Sequence, residues 1–212
     1  MDDWTSAGEA PSLDILEGLI AAVADPADEN HAPVARRFAE QLSKHRGTVE
    51  KVIEASLRNP DRLAALHETG LMSGGATCRL DRIAELTAEA LGTGYAAITL
   101  VDSDSQFLAG CSVAAAAAYV RRRPIEVSVS RFVVASGHPL FVADATVHPL
   151  LGNNPAVRSG EVLAFAGVLL LSDTLQAVGT LCAWDTHPHR WSSGQRQLLE
   201  DFAELTRANI FA

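Results

Sequence analysis

Seven histidines and three cysteines are the side chains in this sequence best able to bind metal, carry electrons or attack a substrate. His187 and His189 straddle Pro188, and Cys182 precedes them on the same stretch. Zinc sites draw cysteine and histidine at tight spacing, yet the chain holds no Cys-x-x-Cys and no His-x-x-x-His. The spacing therefore predicts no metal site. Cys111 and Cys182 fall within apolar runs, where a small thiol packs well. Ser130, Asp144 and His148 are polar groups of one segment, but their spacing defines no triad. Asp144 and Asp185 read as loop caps that accept backbone hydrogen bonds. Asp102-x-Asp104 opens like a calcium loop, but Phe107 stands where such a loop needs glycine, so a hairpin turn is expected. Arg121, Arg122 and Arg123 have the composition of a phosphate cradle; in an acidic chain they read as solvated surface.

The chain has 212 residues, 48% of them hydrophobic, enough for one sizeable core with a small accessory element. A net charge of −9 leaves no cationic excess to displace counterions from a phosphate backbone, which argues against nucleic-acid binding. No apolar run reaches membrane-spanning length, so no membrane partner is expected. An odd, scattered set of cysteines, Cys78, Cys111 and Cys182, fits reduced thiols. The start, MDDWTSAGEAPSLD, lacks the basic and apolar stretches of a signal peptide, and a cytoplasmic location is expected.

Helical spacing appears first at residues 11–24, through Leu13, Leu16, Leu19, Ile20 and Val23, and ends at Asp25-Pro26. Residues 34–57 carry a second stripe, Val34, Phe38, Leu42, Val49, Ile53 and Leu57, with a charged opposite face. Gly47 and Thr48 leave open whether this is one helix or two. The stripe suits either packing on the domain or pairing with a second copy. A short helix follows Asn59-Pro60, closed by Gly70, and another spans about 78–91, closed by Gly92. Residues 95–101 alternate as a strand, with Ile98 and Leu100 on one face and Ala97, Thr99 and Val101 on the other. A turn at 102–105 leads to a partner strand. Five alanines at 114–118 have helix propensity without chemistry.

Residues 164–190, AFAGVLLLSDTLQAVGTLCAWDTHPHR, read as two apolar strands joined by a polar turn at 172–176. Ser192-Ser193-Gly194-Gln195 then opens a helix with a capping box. The order Phe-Ala-Gly-Val, hairpin, Gly-Thr-Leu-Cys-x-x-Asp-x-x-Pro, helix resembles the closing half of a GAF domain. RLAALHETGLM and CRLDRIAELTAEALGT resemble the entry to such domains of the actinobacterial stand-alone or sensor-kinase type. The resemblance implies an α+β fold, a central antiparallel sheet with flanking helices. It divides the chain into a helical N-terminal extension, residues 1–60, and a GAF-like sensory domain, residues 61–212.

It also implies a ligand volume between the sheet and residues 128–157. That segment mixes apolar and sparse polar residues, and Ser130, Arg131, Phe132, Phe141, Asp144, Asn153 and Asn154 are its candidate ligand contacts. Where the family commonly writes Ser-Phe-Cys-Arg, this chain has Ser128-Val129-Ser130-Arg131, so Ser130 takes the cysteine position. Relatives often place Asp-Gly at the last hairpin; here Thr174-Leu175 implies a longer loop, with Leu175 in need of a helix or partner to pack on. No Asn-Lys appears, which argues against cyclic nucleotides, and the generic polar residues that the family has around the Asp-x-x-Pro turn imply a loop-surface place for His187 and His189. Some members hold haem through one histidine, a role open to His138 or His148; no cofactor or metal is expected otherwise. Three readings follow. The first is a non-catalytic signalling module that binds a small ligand or partner protein. The second is a dimerisation or interaction domain with no ligand. The third is a redox enzyme of the free methionine sulfoxide reductase kind, which needs a cysteine relay. A homodimer through residues 34–57 or the closing helix is expected.

Overall fold

The computed structural model describes residues 46–73, 78–113 and 120–211. The helix expected at residues 11–24, the Phe38 and Leu42 part of the 34–57 stripe, and the alanine run lie outside the described residues. The elements run α1 (Arg46–Leu57), α2 (Pro60–Glu68), a 3-10 turn (Leu71–Ser73), α3 (Cys78–Leu91), β1 (Tyr95–Val101), β2 (Ser105–Cys111) and β3 (Arg122–Pro124). A second 3-10 turn (Ile125–Val127) leads to α4 (Ser130–Ser136), β4 (Leu140–Val142), α5 (Pro155–Arg158), β5 (Ala164–Leu171), β6 (Ala177–Asp185) and α6 (Ser193–Ile210). The strands form one sheet in the order β3-β2-β1-β6-β5-β4. Every neighbouring pair is antiparallel. This is the α+β architecture that the sequence led us to expect.

Strand alternation gives the sheet two buried faces. Ala96, Ile98 and Leu100 of β1 join Ala166 and Val168 of β5 against α3 and α6. Ala97 and Val101 join Phe165, Cys182 and Trp184 on the other face, under α4. A register shift between Ile98 and Thr99 marks a bulge in the β1–β2 ladder. Beside it, a side chain at Gly110 would run into the Leu80 carbonyl, so only glycine lets α3 lie this close.

Helix α1 buries Val49, Ile53 and Leu57, spaced every fourth residue, in the same core as α4. Ser56 Oγ donates to the Ala135 carbonyl at 3.2 Å and fixes the two helices together. Helix α2 opens with Pro60 at its first turn and with Asn59 Oδ1 accepting from the Asp61 and Arg62 amides. Arg62 is 3% exposed and donates to Val101 O at 2.6 Å, to Leu57 O and to Ala177 O at 3.4 Å. One guanidinium thus joins the end of α1, the end of β1 and the start of β6. Burial pulls its pKa down to about 10.

Candidate functional site

A cavity of about 40 Å³ lies between the sheet and α4. Thr99, Gln106, Leu108, Phe165, Cys182 and Trp184 reach it from the strands, while Val129, Ser130 and Ala156 cover it. Arg123 of β3 and Glu161, in the loop after α5, also line it. They form a bidentate ion pair, with the Arg123 Nη2 to Glu161 Oε2 bond at 2.8 Å and both side chains partly exposed.

A relay of hydrogen bonds crosses this site. Thr180 Oγ1 donates to Ser130 Oγ at 2.8 Å, and Ser130 Oγ lies 3.9 Å from Cys182 Sγ, which donates to the Ala97 carbonyl at 3.5 Å. Thr99 Oγ1 is 3.6 Å from the same sulfur. Burial pushes the Cys182 thiol up, so it stays protonated and acts as a hydrogen-bonding group rather than a thiolate nucleophile. Gln106 is 7% exposed, and its side-chain amide has no hydrogen-bond partner among the described residues.

A second, larger recess of about 380 Å³ opens outward between α1 and the segment around α5. Glu50, Glu54, Asp104 and Glu126 line it together with Arg58 and Arg131 above an apolar floor of Ile53, Leu57, Ile125 and Leu150. Arg131 Nη2 pairs with Glu50 Oε1 at 3.0 Å, and its guanidinium lies 4.7 Å from the Phe132 ring centroid.

The candidate contacts read from the sequence are thus divided. Ser130 faces the inner cavity, whereas Arg131, Asn153 and Asn154 line the outer recess. Phe132 is buried in the core under α4. Phe141 falls on the opposite face of the sheet, because Leu140 and Val142 take the cavity side of the same short strand; Arg196 lies over its ring at 4.8 Å. Asp144 accepts from the Thr146 amide at 2.9 Å and from its hydroxyl at 2.6 Å, a loop cap. Asn154 is committed to structure as well: it caps α5 by accepting from Ala156 N and donates to the Glu126 and Ser128 carbonyls. Thr99, Gln106, Arg123, Glu161 and Thr180 are absent from the expected set. For Thr99, Gln106 and Thr180 the signal is a polar residue at an inward position of an otherwise apolar strand, whereas Arg123 lies on a short polar strand and Glu161 in a loop.

The three arginines each have an anchor rather than a shared anion. Arg121 pairs with Asp81 at 2.8 Å, Arg122 donates to Ser105 Oγ and the Met72 carbonyl, and Arg123 holds Glu161. His187 is exposed as expected, whereas His189 is half-buried. Its Nδ1 lies 3.1 Å from Asp185 Oδ2, and its Nε2 meets Gln195 Nε2 at 3.1 Å. Asp185 Oδ1 accepts from the Gly94 amide at 2.7 Å, which ties the end of β6 to the entry of β1, while its Oδ2 makes no hydrogen bond among the described residues and meets His189 only as a charge neighbour. His148 is buried, and its Nδ1 accepts from the Leu150 and Leu151 amides. Among the described residues, no group of three His, Cys, Asp or Glu side chains is placed to hold a metal ion, and no helix is long and apolar enough to cross a membrane.

The sequence model of the GAF domain matches residues 77–210, most of the chain. The protein belongs to the GAF domain family. Solved GAF structures share this fold at low identity. The free methionine-R-sulfoxide reductase of Neisseria meningitidis, solved with its substrate, is 21% identical over 78% of this chain and 87% of that one, with a TM-score of 0.50. The GAF domain of an Acinetobacter phosphoenolpyruvate-protein phosphotransferase is 14% identical over 72% and 94%, also at 0.50. The blue-light-absorbing PixJ GAF domain of Thermosynechococcus elongatus is 14% identical over 72% and 89%, again at 0.50. Comparison with curated proteins gives no sequence match. These GAF neighbours include a light receptor and an enzyme, so the fold leaves the activity of this copy to its own residues.

Proposed function

We propose that this chain is a non-catalytic, cytoplasmic sensory module that takes a small ligand into the cavity between the sheet and α4 and passes the signal to α1. Helix α4 carries the reading. Its first residue, Ser130, faces the cavity. Its outer side packs on α1 through the Arg131–Glu50 pair and the Ser56–Ala135 bond. A ligand that displaces Ser130 from Thr180 must shift both contacts, because α4 is a single rigid helix of about two turns between them. Arg131, Asn153 and Asn154 then belong to the route of the signal, at the recess beside α1. A ligand that binds only the native fold raises its stability by mass action. The test is a metabolite thermal-shift screen on the wild type and on Ser130→Trp, with native mass spectrometry of the purified protein. A stabilising hit lost in Ser130→Trp supports the reading; a shift that survives it unchanged places the site elsewhere.

A second reading, a homodimerisation module, is favoured by α6. Leu198 and Phe202 are only partly buried and Leu205 is 50% exposed, an apolar stripe along one side of the helix. Light scattering on Leu205→Glu tests it: a wild-type dimer that becomes monomeric supports pairing through α6.

A further inference from the structure

We propose that the inner cavity recognises a short aliphatic monocarboxylate of about two to four carbons, bound by Arg123 and Gln106 after it displaces Glu161. The proposal rests on the sensory reading above and names the ligand chemistry of that site.

Gln106 and Arg123 are direct partners across the β2–β3 ladder, so their side chains share one face of the sheet at one end of the cavity. Gln106 is 7% exposed as a residue, and its amide, which keeps access to solvent, hydrogen-bonds to no described residue. An amide that lines a cavity and has no protein partner can bond a ligand atom in place of water. Its neighbour is a guanidinium already holding a carboxylate in bidentate fashion. That carboxylate, Glu161, belongs to the loop after α5 and is 34% exposed, so it can turn to water at small cost. A ligand carboxylate can replace it on Arg123 and accept a further bond from the Gln106 NH2. Among the described residues that line the cavity Arg123 is the one cation, and the wall beyond is mostly apolar, with Val127, Val129, Val162 and Phe165 beside the Thr99 and Ser130 hydroxyls. An anionic head with a short hydrocarbon tail matches that order of groups. The volume, about 40 Å³, holds only a few water-sized groups, which excludes larger acids while the roof stays in place. Exchange of Glu161 for ligand also frees the loop that Arg123 ties to the sheet edge, which makes the ion pair the latch of the site.

The probe is sodium propionate, titrated into uniformly ¹⁵N-labelled full-length protein at constant ionic strength, with propionamide and ethylammonium chloride as neutral and cationic isosteres. The readout is the Gln106 side-chain NH2 signal, assigned by its loss in Gln106→Leu. Propionate is expected to shift it saturably with a Kd of about 1 mM or tighter, and the isosteres are expected to leave it in place. Glu161→Gln removes the competitor and should tighten propionate roughly two- to fivefold, a gain of binding that a merely structural ion pair would not give. Arg123→Gln should weaken it more than about tenfold, with retained signal dispersion showing that the fold survives. Absence of a propionate shift in both the wild type and Glu161→Gln overturns the proposal, as does binding that Arg123→Gln leaves unchanged. If propionamide or ethylammonium shifts the cavity residues and propionate does not, the anion assignment fails while the sensory reading stands. If the metabolite screen also yields no ligand lost in Ser130→Trp, both fail.

Discussion

Cys111 and Cys182 stand in one row across the sheet, each paired with Ala97 from its opposite side. Two strand spacings put their Cα atoms about 10 Å apart, beyond the roughly 7 Å that a disulfide spans. Burial pushes both thiols up, which keeps them protonated. Cys78 alone of the three is exposed. Native protein should therefore give one fast-reacting thiol with a disulfide reagent and all three after denaturation. Peroxide treatment should yield no Cys111–Cys182 crosslink, and methionine sulfoxide should not be turned over. Detection of that crosslink by peptide mapping of natively oxidised protein would revive the redox reading.

Stability should fall on acidification partly through His148. Burial lowers its pKa from 6.5 to about 4, so the folded state keeps the ring neutral while the unfolded chain takes a proton. The unfolded state binds more protons between those two values, and stability rises with pH across that window. The contribution is fully present above about pH 6.5 and gone below about pH 4, worth at most about 3 kcal/mol. Urea unfolding of the wild type and His148→Gln across this range isolates it. The difference between the two should shrink as pH falls; a gap independent of pH would mean that the ring titrates alike in both states.

Arg62 offers a sharper mechanical test. Its donors satisfy carbonyls at the ends of α1 and β1 and the start of β6. Arg62→Met keeps the apolar stem but leaves those carbonyls without a charged donor, at a cost of about 3 kcal/mol. A fall in Tm of roughly 10 °C is expected. Arg62→Lys should recover little of it, since one ammonium lacks the planar fork that reaches separate elements. A Lys variant as stable as the wild type would show that charge alone, rather than the fork, is what matters.

The fold was legible because its signals are local. The alternation in β1, the hairpin at residues 164–185 and the Ser192–Gln195 capping box each depend on neighbours in sequence, and all three stand where the sequence puts them. Of the inner site the family pattern gave Ser130, and strand alternation offered Thr99 and Gln106 as inward polar residues. Gln106 meets Arg123 only through strand pairing, and Glu161 reaches Arg123 from the far side of α4 and α5. Such contacts are products of topology, and no spacing along the chain announces them. Phe141 shows the complementary failure. It shares a segment with Ser130, but a three-residue strand turns it to the other face. His189 was hidden likewise, since its partner Asp185 is close in sequence while Gln195 joins it only once α6 has docked.

Leu175 carries the last prediction. It sits at the tip of the β5–β6 loop with φ at 60°, a left-handed conformation unusual for a bulky residue, and its side chain is 75% exposed. The Leu175 amide donates to the Ser172 carbonyl, and the Ser172 amide to Gln176 O, so the turn itself imposes the conformation. The left-handed form costs an L-residue about 1–2 kcal/mol, of which glycine gives back part through its larger loss of chain entropy. Leu175→Gly should therefore stabilise the isolated chain by about 0.5–1 kcal/mol, raising Tm by roughly 2–3 °C. A strained, exposed leucine is kept at a functional loop when a partner covers it. If it packs on a second copy, wild-type Tm will rise with protein concentration and the Leu175→Gly Tm will not. A loss of stability in Leu175→Gly at every concentration would show instead that the leucine makes a contact within its own chain.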